Sequence, residues 1–193
     1  MRTGLPAIFL ALLALPQVAQ SRIPLQQVDE WSRDYDVHFH KYTKRYFGPH
    51  IDWRWFKSQG IAESGLDADA SSEAGARGVM QIMPATYTEI RKQNPHFLEV
   101  DQPRWNIAAG IYYDRQLYDK WNTPPPGEER LLFAFGSYNA GYGRIFQASR
   151  QAQENPGSWH AVRPYVPPQT RHYIRRIRRL MTEPPAADTS LEQ

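Results

Sequence analysis

The chain has 193 residues, no cysteine and a formal net charge of +3. A single domain of this length buries about two-thirds or more of its unfolded surface, so it is expected to hold together without disulfide staples, and with no cysteine a lipid anchor on an N-terminal cysteine is not expected. The mild positive excess suits an acidic polymer, whether nucleic acid or a cell-wall matrix.

Residues 1–21 read as an export signal: Arg2 is a positive start, Leu5 to Leu15 is an apolar run broken only by Pro6, and small residues surround Ala19. The run is short for a membrane span, and no later stretch could make one, so the mature chain is expected not to be an integral membrane protein. An uncleaved anchor or leader is the competing reading. Residues 22–50 form an N-terminal helical segment, with Val28, Trp31, Tyr35, His38 and Tyr42 stepping by three or four along a helix over about 25–46. Gly48-Pro49-His50 breaks it.

A second helix, capped by Asp52, runs through Phe56 and Ile61 to Glu63 and ends at Gly65. Residues 66–82 read as a glycine-punctuated loop. Pro84 starts a third helix, 95–103 is a connector, and a fourth helix covers about 105–121. Thr123-Pro124-Pro125-Pro126-Gly127 is a break. The fifth helix, about 128–139, is nearly all apolar at Leu131 to Phe135 and belongs in the middle of a bundle. A sixth spans about 143–153, residues 154–167 read as loop, and the last helix covers about 168–181. Strand signals are nearly absent, so the fold class is mainly α: one helical domain over about 51–182 with little or no β-sheet, followed by a disordered tail at 183–193. Arg171, Arg175, Arg176, Arg178 and Arg179 first read as the solvated face of the terminal helix, ahead of contact with an acidic polymer; no nucleic-acid motif accompanies them, and no nucleic-acid partner is expected.

The chemistry centres on Glu63. It lies at the C-terminal end of a helix that opens with Trp53, Trp55 and Phe56. The negative end of the helix dipole and desolvation both raise a carboxyl pKa, and a raised pKa suits a general acid. On position alone, a surface glutamate in a last turn is the favoured reading, and the loop that follows changes it. The loop that follows carries Gly75 and Gly78, which permit close backbone approach, and Gln81 within the apolar Val79-Met80 and Ile82-Met83. Gln81 is either satisfied in the core or aimed at a ligand, and Ser72 is either a turn residue or a ligand contact. Asp67, Asp69 and Glu73 follow Glu63 closely but look solvated. His38 and His40, two apart, point to different faces of a helix and form no metal-spaced cluster. Tyr112, Tyr113, Tyr118 and Trp121 serve core packing or a sugar groove; Tyr142, between Gly141 and Gly143, is the strongest candidate for an exposed aromatic platform.

Five blocks in order carry a family resemblance. They are Glu63-Ser64, Gly75-Ala76-Arg77-Gly78-Val79-Met80-Gln81, Asn106-Ile107-Ala108-Ala109-Gly110-Ile111-Tyr112-Tyr113, Ser137-Tyr138-Asn139-Ala140-Gly141 and Thr170-Arg171-His172-Tyr173-Ile174. Together they resemble the catalytic domain of soluble-type (SLT) lytic transglycosylases, the goose-type-lysozyme-like enzymes that cut peptidoglycan. The departures are mild: Ala68 in place of proline, Val79 in place of leucine, and Gly136-Ser137 where alanines are common.

The resemblance implies a lysozyme-like helical fold with a substrate groove, and a periplasmic location. It implies that Glu63 protonates the oxygen between N-acetylmuramic acid and N-acetylglucosamine, then takes the muramic acid C6 hydroxyl proton. Ser72 and Gln81 would contact the N-acetyl group or glycan, Met80 would line the groove, Tyr138 would position Glu63, and Asn139 would shape the floor. No metal, nucleotide or redox cofactor is expected; the partners are peptidoglycan glycan strands and envelope or secretion-machinery proteins. Two alternatives stand beside this reading. One is a hydrolytic muramidase pairing Glu63 with Asp67, Asp69 or Glu73. The other is a non-catalytic peptidoglycan-binding envelope component.

Overall fold

The computed structural model describes residues 33–182, and their regular structure is helical. The helices are α1 (Asp36–Phe47), α2 (Arg54–Ser64), α3 (Pro84–Gln93), α4 (Pro103–Lys120), α5 (Glu128–Ala140), α6 (Tyr142–Gln151), α7 (Trp159–Val162) and α8 (Pro168–Thr182). Among the described residues the β-pairing is confined to two isolated antiparallel bridges, Ser71 with Arg77 and Arg77 with Ile82. The expected signal at 1–21 and tail at 183–193 lie outside the described residues, as does the part of the expected first helix before residue 33.

α5 is the axis of the bundle. Leu131, Leu132, Phe133, Ala134, Phe135, Gly136 and Ser137 are consecutive and all buried, which requires neighbours on every side. Those neighbours are α4, α6 and α8, with α1 packed across α4 and α2 laid against α8. Rings carry much of the contact: Phe56 of α2 meets Phe135 edge-on at 5.7 Å, and Phe47 of α1 meets Phe56 at 4.8 Å.

Helix ends follow the local chemistry. Gly65 stops α2 by adopting the left-handed conformation (φ 71°, ψ 24°) while its N–H bonds the Ile61 carbonyl. Asp52 does cap the start of α2, from one residue further out than an ordinary cap: its Oδ1 accepts from the Arg54 N–H at 2.9 Å. The segment expected as loop at 154–167 instead holds α7 and a 3-10 turn at Arg163–Tyr165. Tertiary contacts outweigh its prolines. The Trp159 N–H donates to Glu129 Oε2 at 2.7 Å, and the Trp159 ring meets Phe133 edge-on at 5.5 Å.

The loop 66–83 is built around one buried side chain of α4. Asn106 Oδ1 accepts from the Met80 N–H at 2.7 Å, and its Nδ2 donates to the carbonyls of Arg77 and Val100, each at 2.9 Å. Gly78 has φ 69°, and a Cβ there would lie 2.5 Å from Asn106 Nδ2, so glycine is needed twice over, for backbone and for space. A short internal ladder stiffens the loop tip: Ser72 N–H to Ala76 O at 3.0 Å, Gly75 N–H to Ser72 O at 2.8 Å and Gly78 N–H to Ala70 O at 2.8 Å.

Candidate active site

Glu63 is the penultimate residue of α2, and it opens into a groove of about 860 Å³ between the 66–83 loop and α8. Ser72 and Gln81 line the loop side, Tyr138 and Asn139 come from the end of α5, and Tyr173 with Arg175, Arg176 and Arg179 come from α8. Among the described residues that line this groove, Glu63 is the sole carboxylate. Asp67, Asp69 and Glu73 are exposed and do not line it.

The closest polar partner of Glu63 is Tyr173, whose hydroxyl donates to Oε1 at 2.6 Å across 110 residues of sequence. Burial raises the Glu63 carboxyl to about 7, while the Tyr173 hydrogen bond and the Arg176 charge both pull the other way. Arg176 also donates to the Ala62 carbonyl at 3.4 Å, which keeps its guanidinium beside the end of α2. A group that titrates near 7 is well populated in both protonation states at neutral pH, which is what one residue needs to give a proton and then take one.

The remaining expected positions divide. Ser72 is at the groove; its Oγ accepts from the Ala76 N–H at 3.0 Å, so it holds the loop tip and presents a hydroxyl at the same time. Gln81 sits in the groove wall in the left-handed region, with φ 45°. Its amide nitrogen is tied to the Ala70 carbonyl at 3.1 Å and the Gly78 carbonyl at 3.0 Å, leaving its oxygen as the end to offer a ligand. Asn139 accepts from Thr170 Oγ1 at 2.8 Å through Oδ1, which leaves its amide N–H groups toward the groove and fastens α5 to α8.

Two expectations are corrected. Met80 does not line the groove. Its side chain is fully buried, 0% exposed, because Gly60 and Gly110 leave a slot for it between α2 and α4; a Cβ on Gly110 would stand 2.8 Å from Met80 Cβ. The groove-lining methionine is Met83, which is 36% exposed. Tyr138 lines the groove with Glu63, and its hydroxyl donates to the Met80 carbonyl at 2.7 Å and pins the loop; the hydrogen bond to the acid itself comes from Tyr173. Tyr142 is no open platform at the groove. Its ring is half-buried against Trp121 at 5.1 Å and Phe146 at 5.8 Å, with Lys120 over it, and it does not line the groove.

Sequence reasoning passed over Asp114 altogether. It is 0% exposed on α4, and its Oδ1 accepts from Gln59 Nε2 at 3.2 Å. Gln59 precedes Glu63 by four residues, so it occupies the same face of α2 one turn earlier. Burial raises the Asp114 carboxyl well above the usual range, with a further push from the Glu63 charge. Asp114 Oδ2 and Gln59 Oε1 are both buried without a hydrogen-bond partner as placed, and one proton on Oδ2 satisfies the two at once. Asp114 is buried and hydrogen-bonded to Gln59, and it does not line the groove. A charged residue alone among the apolar positions of α4, one helical turn after Gly110, was the available signal.

The transglycosylase SLT domain model matches residues 44–160. The chain belongs to the SLT transglycosylase domain family. Its curated relatives include proteins named membrane-bound lytic murein transglycosylase F. That of Shewanella woodyi is 30% identical over 144 residues, 72% of this chain and 29% of the relative. That of Yersinia enterocolitica is 33% identical over 128 residues, 64% of this chain and 25% of the relative. Among solved structures, the 70 kDa soluble lytic transglycosylase SLT70 of Escherichia coli matches with 26% identity and a TM-score of 0.59, covering 80% of this chain and 26% of that one. The 70 kDa soluble lytic transglycosylase in complex with bulgecin A matches at 25% identity and TM-score 0.60, over 79% of this chain and 25% of that chain. The chain therefore spans about a quarter to a third of the length of these relatives. An SLT domain accounts for the mainly helical, lysozyme-like fold, and no described helix is long and apolar enough to cross a membrane.

Proposed function

We propose that this SLT domain cleaves the β-1,4 bond between N-acetylmuramic acid and N-acetylglucosamine in peptidoglycan without consuming water, using Glu63 as acid and then base. The observation that carries the reading is a groove with one carboxylate, raised to about 7 by burial and hydrogen-bonded by a tyrosine. Protonated Glu63 donates its proton to the glycosidic oxygen as the C1–O bond breaks. The 2-acetamido oxygen of the same sugar supports the electron-poor C1, filling the place of a second carboxylate. The C6 hydroxyl then attacks C1 and yields its proton to the Glu63 carboxylate, which closes a 1,6-anhydro ring and returns the acid to its starting form. Intramolecular attack is favoured over water by effective molarity, worth up to several kcal/mol when the geometry is good. Tyr173 and Arg176 stabilise the carboxylate between the two transfers.

The setting that fits this chemistry is the bacterial cell envelope on the exported side. The test is mass analysis of products from purified sacculi. Anhydro-muramic ends from the wild type, and none from Glu63→Gln, are expected. Reducing ends one water heavier would replace the proposal with a hydrolytic muramidase, and no turnover at all would replace it with a binding role.

A further inference from the structure

A second hollow, of about 920 Å³, lies on the far side of α8 from the catalytic groove. Leu132, Trp159 and Ile174 give it apolar surface; Arg163, Arg171, Arg175, Arg178 and Arg179 supply cationic groups, and Glu129 is its sole carboxylate. Glu129 is already engaged by the Trp159 N–H, and Arg178 is paired with Glu128 at 3.2 Å. Arg163, Arg171 and Arg175 form no ion pair among the described residues. These arginines stand around one depression with a single carboxylate among its lining residues, and such an excess of positive charge favours an anionic ligand.

The two hollows share a wall. His172, Arg175 and Arg179 line both, and their spacing of three and four places them along the crest of α8. A helix with its side chains is roughly 10–12 Å across. An extended peptide of about five residues reaches roughly 16 Å. A peptide attached to a sugar seated in the catalytic groove is thus long enough to cross the crest and set its carboxylates among the arginines beyond.

We propose that the hollow bounded by α7, the 3-10 turn and α8 binds the carboxylate-bearing stem peptide of a glycan strand held in the catalytic groove, with Arg163 and Arg171 as its outer anchors. This rests on the peptidoglycan reading above. It makes the domain a reader of peptide substitution as well as of sugar, through a site that touches no reacting atom. Arg163 and Arg171 line the outer hollow and not the groove, so they can be changed without removing a groove-lining residue.

The experiment measures binding in the Glu63→Gln background of the full chain, so that it does not depend on turnover. The probes are defined glycan strands with peptide stems and the same strands with the stems removed. Two peripheral charge contacts should give a preference of about fivefold for the peptide-bearing strand, reduced by added salt. Arg163→Ala with Arg171→Ala should abolish that preference and leave binding of the bare strand unchanged, and Lys at both positions should restore most of it. Equal affinity for the two strands, a variant that keeps the preference, a variant that weakens both strands alike, or no binding of either strand would each overturn the proposal. So would arginine-dependent binding of anionic phospholipid vesicles without a preference between strands. Wild-type product analysis is scored separately: absence of anhydro products would sink the catalytic reading, while the binding preference decides the peptide site.

Discussion

The two walls of the groove are made by opposite means. The loop wall, residues 66–83, is uncharged where it faces Glu63 and keeps its shape through backbone hydrogen bonds collected by Asn106. The α8 wall is a regular helix that presents Tyr173 and a row of arginines. Burial between the two walls raises the pKa of the acid, while the α8 wall offers a hydrogen bond and positive charge that lower it. The value near 7 is a balance between burial and the α8 groups, so exposing the acid and removing those groups should shift it in opposite directions.

The largest effect should come from removing the group both walls act upon. Glu63→Gln eliminates both proton transfers, and release of soluble muropeptides should fall about a thousandfold or more with the circular dichroism spectrum unchanged. Residual activity within tenfold of wild type would mean another group carries the chemistry. The loop wall is broken most directly by Gly78→Ala, which adds a Cβ 2.5 Å from Asn106 Nδ2 at a φ of 69°. Urea unfolding should show a loss of about 2–4 kcal/mol. A loss under 1 kcal/mol would show that Asn106 does not organise the loop.

The balance also has a signature in stability. Glu63 holds its proton more tightly in the folded chain, near 7, than at its ordinary 4.5. Its contribution is therefore complete below about pH 4.5, declines as pH rises toward 7, and is absent above it. Glu63→Gln does not ionise, so its stability relative to wild type should improve by about 3 kcal/mol between pH 4 and pH 8. A pH-independent difference in chemical denaturation would show that the acid is not desolvated. The smallest effect should come from the cationic wall. Tyr173→Phe removes a donor that favours the carboxylate, so the alkaline limb of kcat/KM should move to higher pH by less than about one unit, with a rate loss of about tenfold. Arg176→Met should shift the limb the same way, and a shift to lower pH in either variant would refute that balance.

Most of the helical framework was legible from periodicity and punctuation, because Gly65, Pro84, Pro103 and the 123–127 break act locally. Glu63, Ser72, Gln81 and Asn139 were expected at the groove from the family resemblance of the motifs that carry them, and all four line it. The role of Tyr173 was not, since its bond to Glu63 spans 110 residues and nothing in the final helix states which face meets α2. Met80 was misplaced because a run of apolar residues in a loop does not declare which of them the core accepts; two glycines on other helices decided it. The helix α7 was hidden behind Pro156, Gly157 and Pro164, and only the Glu129 carboxylate and the Phe133 ring reveal why it forms.

The pairing of Glu63 with a tyrosine on the last described helix bears on how the chain is made. Synthesis proceeds from the N-terminus, so the acid emerges more than a hundred residues ahead of its partner. A nascent or truncated chain ending before Pro168 carries the acid with one side of its trough missing. The groove around Glu63 is thus completed only once α8 has been made, and a chain that stops before Pro168 lacks that wall.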